Sequence, residues 1–546
     1  MVTVPTSAAP DLQVGSFSDR GPWSIIPDEL AWRGGIAARR TRTRAEVPHL
    51  LRRRRLPPGS RVASVGLRLG WAVVAWYVRD RRRGPRQSRQ GLSRRLRLAF
   101  EALGPTYIKL GQILSSGQGI FPEELVAEFR LCRDHVPAEP FPLVRGIIEA
   151  DLGQPLEAVF AHVDPQPVAA ASIAQVHPAR LVTGEEVVVK VQRPQVASLV
   201  RRDLAAMAWL APSLVGRIPI TSLANPPALV ELFAETIVEE LDFRLEAENM
   251  LDLARVLAET GTRTTIVPRP HPRLVTRRVL TMERLEGFSW DDASGMRAAG
   301  IDTTAVLRDG MVGFLEGAML YGVFHGDLHG GNLFVQPDGR VVLLDFGITG
   351  RLEEPRRLAF LRLLMGGTIN DVRLQVSALR ELGALPADAD TDAVIRDLDL
   401  EGPVQDPTRM TAEELTAQIR DLTKALLSYG ARMPKELMLF VKNLLFLDAA
   451  IANLAPDLDL FAEVVRLAEY FATRYGDRIA ADVGLDPRQA TVDLDGLRAS
   501  MGLTPEVEGI TYRELQARRE TIRRRMEERD QRRRRRRWRL PRRRRG

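Results

Sequence analysis

The sequence contains a single cysteine, Cys132, among 546 residues. One thiol excludes a disulfide within the chain and a zinc site built from several cysteines, and it suits a reducing compartment. We also expect no secretory signal peptide, because the first twenty residues contain no basic segment followed by an apolar run. The hydrophobic fraction of 45% is that of a globular protein, and the length allows about two to four domains.

Lysine is also rare, since only five of the 78 Lys and Arg residues are lysine. Residues 1–100 hold 21 arginines and 6 acids, and residues 532–546 hold 11 arginines and no acid, so the remainder of the chain is net acidic. Basic ends on an acidic body indicate a polyanionic partner, which is a membrane surface or a nucleic acid. Aromatic residues are not interleaved with the arginines, so we expect no specific nucleic-acid recognition.

The most informative stretch is Val323–Gly347, which reads HxDxxxxN followed by DFG. Asp327 and Asn332 lie in a glycine-rich loop, and Asp345 ends an apolar strand, Val341–Leu344, that follows a Pro-Asp-Gly turn. In phosphoryl transfer from ATP, the first carboxylate orients the attacking group, while the amide and the second carboxylate hold Mg²⁺. The alternative is a solvated hairpin, which leaves the crowding of polar side chains in one loop unexplained.

A second polar position is Lys190, which lies in the apolar strand VVVKV. The pattern predicts a hairpin with a first strand ending near Val176, a Thr183-Gly184 turn and a return strand over 187–191. A buried cation requires an anion, and in kinase chemistry a helical Glu orients this lysine toward the α- and β-phosphates. The acidic helix 231–248 contains the candidate partners, which are Glu239, Glu240, Asp242, Glu246 and Glu248.

Three further segments carry predictions. The strand 278–287 is expected to end in a hinge whose backbone, around Glu283 to Leu285, bonds adenine. Lys109 and Gln112 share one helix face, and Gly111 between them indicates close approach of another backbone. The apolar run 62–78 is interrupted by Arg68 and is short for a membrane span, so it is a membrane-surface helix or a helix packed on the body.

Five motifs together resemble those of the UbiB/ADCK family of atypical kinases, which is associated with coenzyme Q biosynthesis. YIKLGQ is similar to the KxGQ signature of that family, AAASIAQVH to its alanine-rich loop, and EELDFRLEAEN to its ExD element, and HGDLHGGN and LLDFG complete the set. The resemblance implies an α+β, bilobal protein-kinase-like fold with an N-terminal helical extension. It also implies that the KxGQ helix lies over the site where a protein substrate would bind.

By this resemblance the site residues take three roles. The catalytic residues are Asp327, Lys190, Glu246, Lys109 and Gln112. The ATP-binding residues are Val168, Ala169, Ala170, Ala171, Ser172, Ile173, Ala174, Gln175, Val176, Lys190, Glu283 and Leu285. The residues that hold Mg²⁺ are Asn332 and Asp345, with the ExD acids Glu240 and Asp242.

The departures from an ordinary protein kinase limit the expected activity. Alanine does not reach the positive-φ conformations that glycine allows, so the loop at 169–172 is expected to be stiff. Gly326 replaces the arginine of the kinase HRD motif, which removes a receiver of activation-loop phosphate. We therefore expect ATP binding with slow hydrolysis or phosphorylation of a small molecule, such as a lipid or quinone precursor. The alternatives are a phosphotransferase of the aminoglycoside or choline kinase type and a non-catalytic scaffold.

The predicted organisation has five parts. Residues 1–60 form a disordered basic N-terminus, 61–160 a helical extension with KxGQ, 161–286 an N-lobe, 287–480 a C-lobe, and 481–546 a charged helix with an arginine-rich tail. The tail and its Trp538 suit anionic lipid headgroups. We thus expect a cytoplasmic protein that is peripherally attached to the inner face of the cell membrane.

Overall fold

The computed structural model describes residues 16–52, 55–115, 122–132, 137–214, 226–369, 371–398, 400, 429, 434–484, 509–517 and 520–521. The chain forms two compact units. The first contains Met1–Ile301, Val323–Arg351 and Lys435–Phe446, and the second contains Asp302–Gly322, Leu352–Pro434 and Leu447–Gly546. The arginine tail lies outside the described residues, and the predicted domain boundaries stay predictions.

Helices of the first unit precede and flank its strands. They are α1 (Ile36–Leu50), α2 (Ser60–Arg79), α3 (Pro85–Leu103), α4 (Pro105–Ser115), α5 (Glu123–Phe129), α6 (Phe141–Leu152), α7 (Leu156–Val159), α8 (Val196–Leu214), α9 (Pro226–Glu239), α10 (Phe243–Thr260) and α11 (Ala293–Ala298). Gly104 separates α3 from α4, and Pro105 opens α4, where its missing N–H costs no helical hydrogen bond. A Cβ on Gly111 would lie 2.7 Å from the Phe129 ring, so the close neighbour of this glycine is a side chain and not the predicted backbone.

The main sheet of this unit is formed by β1 (Phe160–Val163), β2 (Ala169–Ala170), β3 (Ala174–Leu181), β4 (Glu186–Gln192), β6 (Pro270–Val275) and β7 (Val279–Glu283). Its order is β1-β3-β4-β7-β6, with β2 paired to β3. Val187, Val189 and Val191 are fully buried on one face of β4, so alternation places Lys190 on the other face. The strand before the turn ends at Leu181, beyond the predicted Val176.

Two smaller sheets contain strands of the stretch Val323–Gly347. The first has the order β5 (Thr265–Ile266), β11 (Val341–Leu343), β10 (Leu333–Val335), β8 (Phe288–Ser289), and the second pairs β12 (Thr349–Arg351) with β9 (Val323–His325). The β10–β11 hairpin pairs Leu333 with Leu343 and Val335 with Val341. It closes through the predicted turn, in which Gly339 has φ +88°.

The prediction of a disordered N-terminus is wrong for residues 16–52. Phe17, Ile25, Leu30 and Trp32 are buried in the core that α10 and β7 form. The segment is anchored further by an ion pair of 2.9 Å between Arg33 and Glu248. Its apolar residues lie in bends, turns and a short 3-10 helix at irregular spacing, so they give no periodic signal in the sequence.

The second unit is helical in its described residues. Its helices are α12 (Thr303–Glu316), which continues into a π-helical turn at Gly317–Tyr321, then α13 (Glu354–Thr368), α14 (Val372–Glu381), α15 (Thr391–Asp397) and the helix Leu460–Val483. The helix Lys435–Leu454 contributes its first part to the first unit and its last part to the second. All strands of the named sheets belong to the first unit, so the predicted α+β class is confirmed.

Candidate active site

The predicted catalytic loop follows β9 and is held by its own histidine. The Nε2 atom of His325 lies 3.0 Å from the Leu344 carbonyl oxygen, and the N–H of Asp327 donates to Nδ1 at 3.2 Å. An accepting Nδ1 and a donating Nε2 define one neutral tautomer. Burial lowers the pKa of His325, which favours that neutral form. His325 thereby ties the loop to the segment that carries Asp345.

Gly326 stands where a protein kinase has arginine, and the packing explains why. A Cβ at this position would lie 2.8 Å from a methyl group of Ile348 and 3.1 Å from Leu439. The amide of Asn443 holds the loop on that side, because its Oδ1 accepts from the N–H of Leu328 at 3.1 Å and its Nδ2 donates to the carbonyl oxygen of His325. Any side chain at 326 would therefore displace the loop.

Asp345 adopts a backbone conformation that L-residues rarely occupy, with φ +56°. Its Oδ1 accepts from the N–H of Gly347 at 3.2 Å and lies 3.0 Å from Nζ of Lys190. Burial would raise the pKa of Asp345, but the charges of Lys190 and Lys109 hold it below its usual range. The side chain is 43% exposed, so an ionised carboxylate is presented to an incoming cation. Strain of this kind is stored at functional sites.

Lys190 lies on β4 with its Nζ 2.7 Å from Oε1 of Glu246 on α10 and 3.0 Å from Oδ1 of Asp345. Burial would lower the pKa of Lys190, but the charges of Asp345 and Glu246 outweigh it, so the pKa is raised. Burial raises the pKa of Glu246 to about 7, because Lys190 offsets that cost only in part. The structure thus brings together three residues that the sequence predicts as partners.

Asp327 is held between two lysines. Nζ of Lys109 on α4 lies 3.7 Å from one carboxylate oxygen of Asp327 and 3.2 Å from Oε1 of Glu240. Nζ of Lys442, on the helix Lys435–Leu454, donates to the other carboxylate oxygen of Asp327. Burial would raise the pKa of Asp327, but Lys442 and Lys109 hold it far below its usual range. Asp327 is therefore ionised, and its oxygens are occupied.

Asn332 and Asp345 fit a magnesium site that includes phosphate oxygens. Asn332 donates from Nδ2 to the carbonyl oxygen of Asp327 at 3.0 Å, which orients the amide. Among the described residues, no three His, Cys, Asp or Glu side chains are placed to hold a metal by themselves. Mg²⁺ in ATP sites is held by one or two protein ligands together with the phosphates, so this donor set suits the cation.

The two ExD acids have different surroundings. Glu240 bonds Lys109, and burial raises its pKa above the ordinary value. Asp242 instead caps α10, accepting from the N–H of Arg244, and it pairs with the Arg244 guanidinium at 2.6 Å. These contacts give Asp242 a structural role as a helix cap, and its predicted place among the metal ligands stays a prediction. Gln112 lies half-buried on α4, one turn after Lys109, and its role stays a prediction.

The alanine-rich loop is a tight hairpin between β2 and β3. The N–H of Ala171 donates to the carbonyl oxygen of Ala174 at 2.8 Å, and the Arg193 guanidinium donates to the carbonyl oxygen of Ala171 at 2.8 Å. Val168, Ala169 and Ala171 are exposed. The side chain of Gln175 is buried. Its Nε2 atom is hydrogen-bonded to Nε2 of His177, and its Oε1 atom accepts from the N–H of Glu139. A contact of Gln175 with a nucleotide would therefore come from its backbone.

The predicted adenine hinge follows β7. The backbone N–H of Glu283 donates to the Arg269 carbonyl oxygen at 2.9 Å, and its buried carboxylate bonds Ser18 and Arg269. Glu283 thus has no spare N–H for adenine. Leu285 lies after the strand and is half-buried, and the hinge contact of these residues with adenine stays a prediction.

Sequence reasoning missed Lys442 and Asn443 as parts of this site. They belong to no recognisable motif, and they lie 115 or more positions along the chain from the residues they contact. It also missed Arg40 on α1, which donates at 2.9 Å to Asn249, whose Nδ2 in turn donates to the Phe346 carbonyl oxygen. The rarity of lysine was the one available signal for Lys442.

Comparisons with known proteins agree with these motifs. The model of the ABC1 atypical kinase-like domain matches residues 131–378. An uncharacterised protein of Mycobacterium tuberculosis (strain H37Rv) is 35% identical over 419 residues, which is 76% of this chain and 84% of that protein. "Probable protein kinase UbiB" of Aeromonas hydrophila is 32% identical over 386 residues, which is 69% of this chain and 70% of that protein.

Among solved structures, the complex of Rv3197 with erythromycin from Mycobacterium tuberculosis covers 63% of this chain and 91% of that chain. Its sequence identity is 22% and its TM-score is 0.36.

Proposed function

The chain belongs to the UbiB/ADCK family of ABC1 atypical kinase-like proteins, and we propose that it binds Mg-ATP and transfers or hydrolyses the γ-phosphate in isoprenoid-quinone or lipid metabolism at a membrane surface. The observation that carries the proposal is the contact of Lys190 with both Glu246 and Asp345. A kinase lysine is oriented by such a glutamate, and the neighbouring aspartate holds the metal that bridges the phosphates.

Each residue has a role that follows from its surroundings. Lys190 neutralises charge on the α- and β-phosphates, and Glu246 keeps its ammonium group in position. Asp345 and Asn332 would hold Mg²⁺, which supplies charge neutralisation on the phosphates when bound. Asp327 is ionised and orients the attacking hydroxyl or water. This orientation requires at least one lysine to move from its carboxylate.

The occupied state of Asp327 argues against routine protein phosphorylation. Lys109, Glu240 and Lys442 fill the space beside the carboxylate, where the hydroxyl of a substrate would lie. Gly326 removes the arginine through which many kinases respond to activation-loop phosphate. Slow hydrolysis of ATP, or transfer to a small acceptor, is the activity that this arrangement supports best.

The membrane part of the proposal rests on charge and on family membership. Residues 1–100 are strongly basic, and a quinone or lipid precursor resides in a bilayer. Among the described residues, one helix, Lys435–Leu454, is long and apolar enough to cross a membrane. Its Lys442 pairs with Asp327, and Leu439 and Phe440 are buried, so we expect this helix to be packed in the protein.

The test is ATP turnover by the full chain, with and without anionic liposomes and a quinone-precursor analogue. We expect Lys190→Met to lose turnover, because the variant lacks the ammonium group that contacts both Glu246 and Asp345. Lys435→Met is the matched control, since Lys435 pairs with Glu239 at 3.3 Å, away from the Lys190 cluster. Equal turnover in Lys190→Met and the parent would overturn the proposal. A phosphorylated soluble metabolite whose formation survives Lys109→Ala would instead favour the phosphotransferase alternative.

A further inference from the structure

Helix α2 has one face packed on the protein and the opposite face open to solvent. Val62, Val65, Ala72 and Ala75 are buried, and the helix contacts α3 and α8. The open face carries a set of apolar side chains that we call the apolar ridge. Its members are Leu67, Trp71, Val74 and Val78, which are 74%, 73%, 52% and 75% exposed.

The apolar ridge is a continuous stripe. Its members follow one another at spacings of four, three and four residues, so they lie on one side of the helix over about 16 Å. Tyr77, 58% exposed, lies beside them. Single exposed apolar residues are ordinary on soluble proteins, but a stripe of four with an adjoining tyrosine indicates an interaction surface.

The charges around the apolar ridge have one sign. Helix α2 contains no acidic residue, and its arginines Arg68 and Arg79 are exposed about a quarter turn from the ridge. Three more exposed arginines, at positions 81–83, follow the helix. A helix with an apolar face, tryptophan and tyrosine, and arginines along its border has the composition of one that lies in the interface of an anionic bilayer.

A cleft of about 640 Å³ lies at the carboxyl end of α2, and we call it the arginine cleft. The guanidinium groups in its lining come from Arg79, Arg83, Arg94 and Arg95. It also contains two carboxylates, which are already paired.

Of these two carboxylates, Asp80 bonds Arg95 at 2.8 Å and Arg83 at 3.3 Å, and Glu128 bonds Arg97 at 3.3 Å. Arg79 and Arg94 have no acidic partner within the part of the chain that the structure describes. Two such guanidinium groups in one cleft suit an anion with several acceptor oxygens, such as a phosphodiester.

We propose that the apolar ridge and the arginine cleft form a docking site for a membrane surface that contains anionic phospholipid. The ridge enters the boundary between headgroups and acyl chains, and the cleft receives a headgroup phosphate. The absence of acids on α2 favours this occupant over a protein, whose surface would present charges of both signs. The inference rests on the membrane part of the proposed function and is independent of the chemistry at Lys190.

The ridge is tested with the full-length protein and two kinds of vesicle, one of phosphatidylcholine alone and one that also contains phosphatidylglycerol. The acyl chains in both kinds of vesicle carry bromine. Bromine quenches tryptophan only at short range, so we expect anionic vesicles to quench a fluorescence component that Trp71→Phe lacks. Leu67→Ser with Val78→Ser should weaken vesicle binding by about tenfold or more, given the area withdrawn from water. Val182→Ser, a 55% exposed position elsewhere, is the control and should bind as the parent does.

The cleft is tested with Arg79→Gln and Arg94→Gln, separately and together. Each change should weaken binding to anionic vesicles by about fivefold and leave binding to neutral vesicles unchanged. The charge-matched control is Arg180→Gln with Arg263→Gln, at two exposed positions elsewhere in the first unit. ATP turnover of every variant should match the parent in solution.

Three results would overturn the inference. One is equal vesicle binding by the parent and the ridge variants. Another is the absence of any quenching that depends on Trp71. The third is a cleft that inorganic phosphate saturates while vesicles do not compete, which would make it a site for a soluble anion. Loss of vesicle docking with ATP turnover intact would leave the phosphoryl-transfer proposal standing, so the two failures are distinguishable.

Discussion

Asp327 is the residue whose surroundings depart furthest from those of a free catalytic carboxylate. Lys109 reaches it from the N-terminal extension, and Lys442 reaches it from a helix 115 residues further along the chain. Both lysines stabilise the ionised form, which suits the proposed role of an orienting group better than that of a strong base. Access to Asp327 therefore depends on displacement of a lysine.

The contribution of Lys442 can be measured by its replacement with Met. Removal of one cation should raise the pKa of Asp327, so the acidic limb of the turnover profile should move to higher pH, by roughly one unit or more. Lys435→Met, on the same helix, should leave the limb in place. A pH profile of Lys442→Met that overlays the parent would show that Lys442 does not set the ionisation of Asp327.

Glu246 predicts a pH dependence of stability. Its pKa is about 7 in the folded protein against an ordinary 4.5. Between these two pH values the folded state therefore holds a proton that the unfolded chain has released. Its contribution to stability is complete below about pH 4.5 and is lost as pH rises through about 7, by at most about 1.4 kcal/mol per pH unit. Glu246→Gln should lack this loss of stability. The Tm of the variant relative to that of the parent should therefore rise between pH 5 and 8. A constant Tm difference across that range would contradict the assignment.

Among individual site residues, the sequence predicted those that belong to a motif of adjacent or nearby positions. Asp327, Asn332 and Asp345 lie within twenty residues, and Lys190 was recognisable because a cation in an apolar strand needs a partner. Lys442 and Asn443 were not predicted, because no spacing rule links a mid-helix residue to a loop more than a hundred positions away.

Among the elements, the alanine-rich hairpin, which we predict to cover the nucleotide phosphates in place of a glycine-rich loop, is the most distinctive. Ala169 and Ala170 pair with Val176 and Gln175, respectively. The Arg193 guanidinium holds the turn by donating a hydrogen bond to the Ala171 carbonyl oxygen. A loop held in this way has fewer conformations available over the phosphates of a nucleotide.

Ala170→Gly should loosen this hairpin. Glycine adds conformational freedom to the loop, at a cost of roughly 0.5–1 kcal/mol, so nucleotide affinity or the preference between ATP and ADP should change by several-fold. Ala161→Gly makes the same substitution at an exposed position of β1 and serves as the control. If titrations with ATP and ADP give the same constants for Ala170→Gly and the parent, the hairpin does not contact the phosphates.

The N-terminal segment shows where element prediction failed. The turns and bends of residues 16–35 pack on α10 through Trp32 and an Arg33–Glu248 ion pair, and helix α1 also contacts α10. The sequence of this segment is rich in arginine, proline and glycine, which is the composition of disordered chain. The contacts that order it lie more than two hundred residues away, so the sequence could not indicate them.

For the whole molecule, the predicted bilobal α+β kinase-like fold is confirmed by the matched ABC1 atypical kinase-like domain and by the arrangement of strands and helices. The periodic segments and the ordered motifs made this class predictable. The segregation of charge was also evident from sequence, but the exposed face of α2 required the structure, since the sequence alone left open whether the run is a membrane-surface helix or a helix packed on the body.

The arginine tail gives a prediction that does not depend on α2. Deletion of residues 532–546 removes 11 positive charges, so binding to anionic vesicles should weaken and should lose much of its dependence on salt. ATP turnover in solution should be unchanged. Vesicle sedimentation at low and high salt measures the effect, and equal binding by the truncated and full chains at low salt would remove the tail from the membrane interaction.

We propose that Lys190, Asp345 and Asn332 together bind one metal-bound triphosphate. This proposal is tested most directly by the dependence of ATP affinity on Mg²⁺ in the parent, in Asp345→Asn and in Asp338→Asn, whose aspartate lies exposed in the β10–β11 turn. Mg²⁺ should tighten ATP binding to the parent and to Asp338→Asn and should have no effect on Asp345→Asn, because a neutral amide replaces the carboxylate ligand. If Mg²⁺ tightens ATP binding to Asp345→Asn as much as to the parent, Asp345 is not a ligand of the metal.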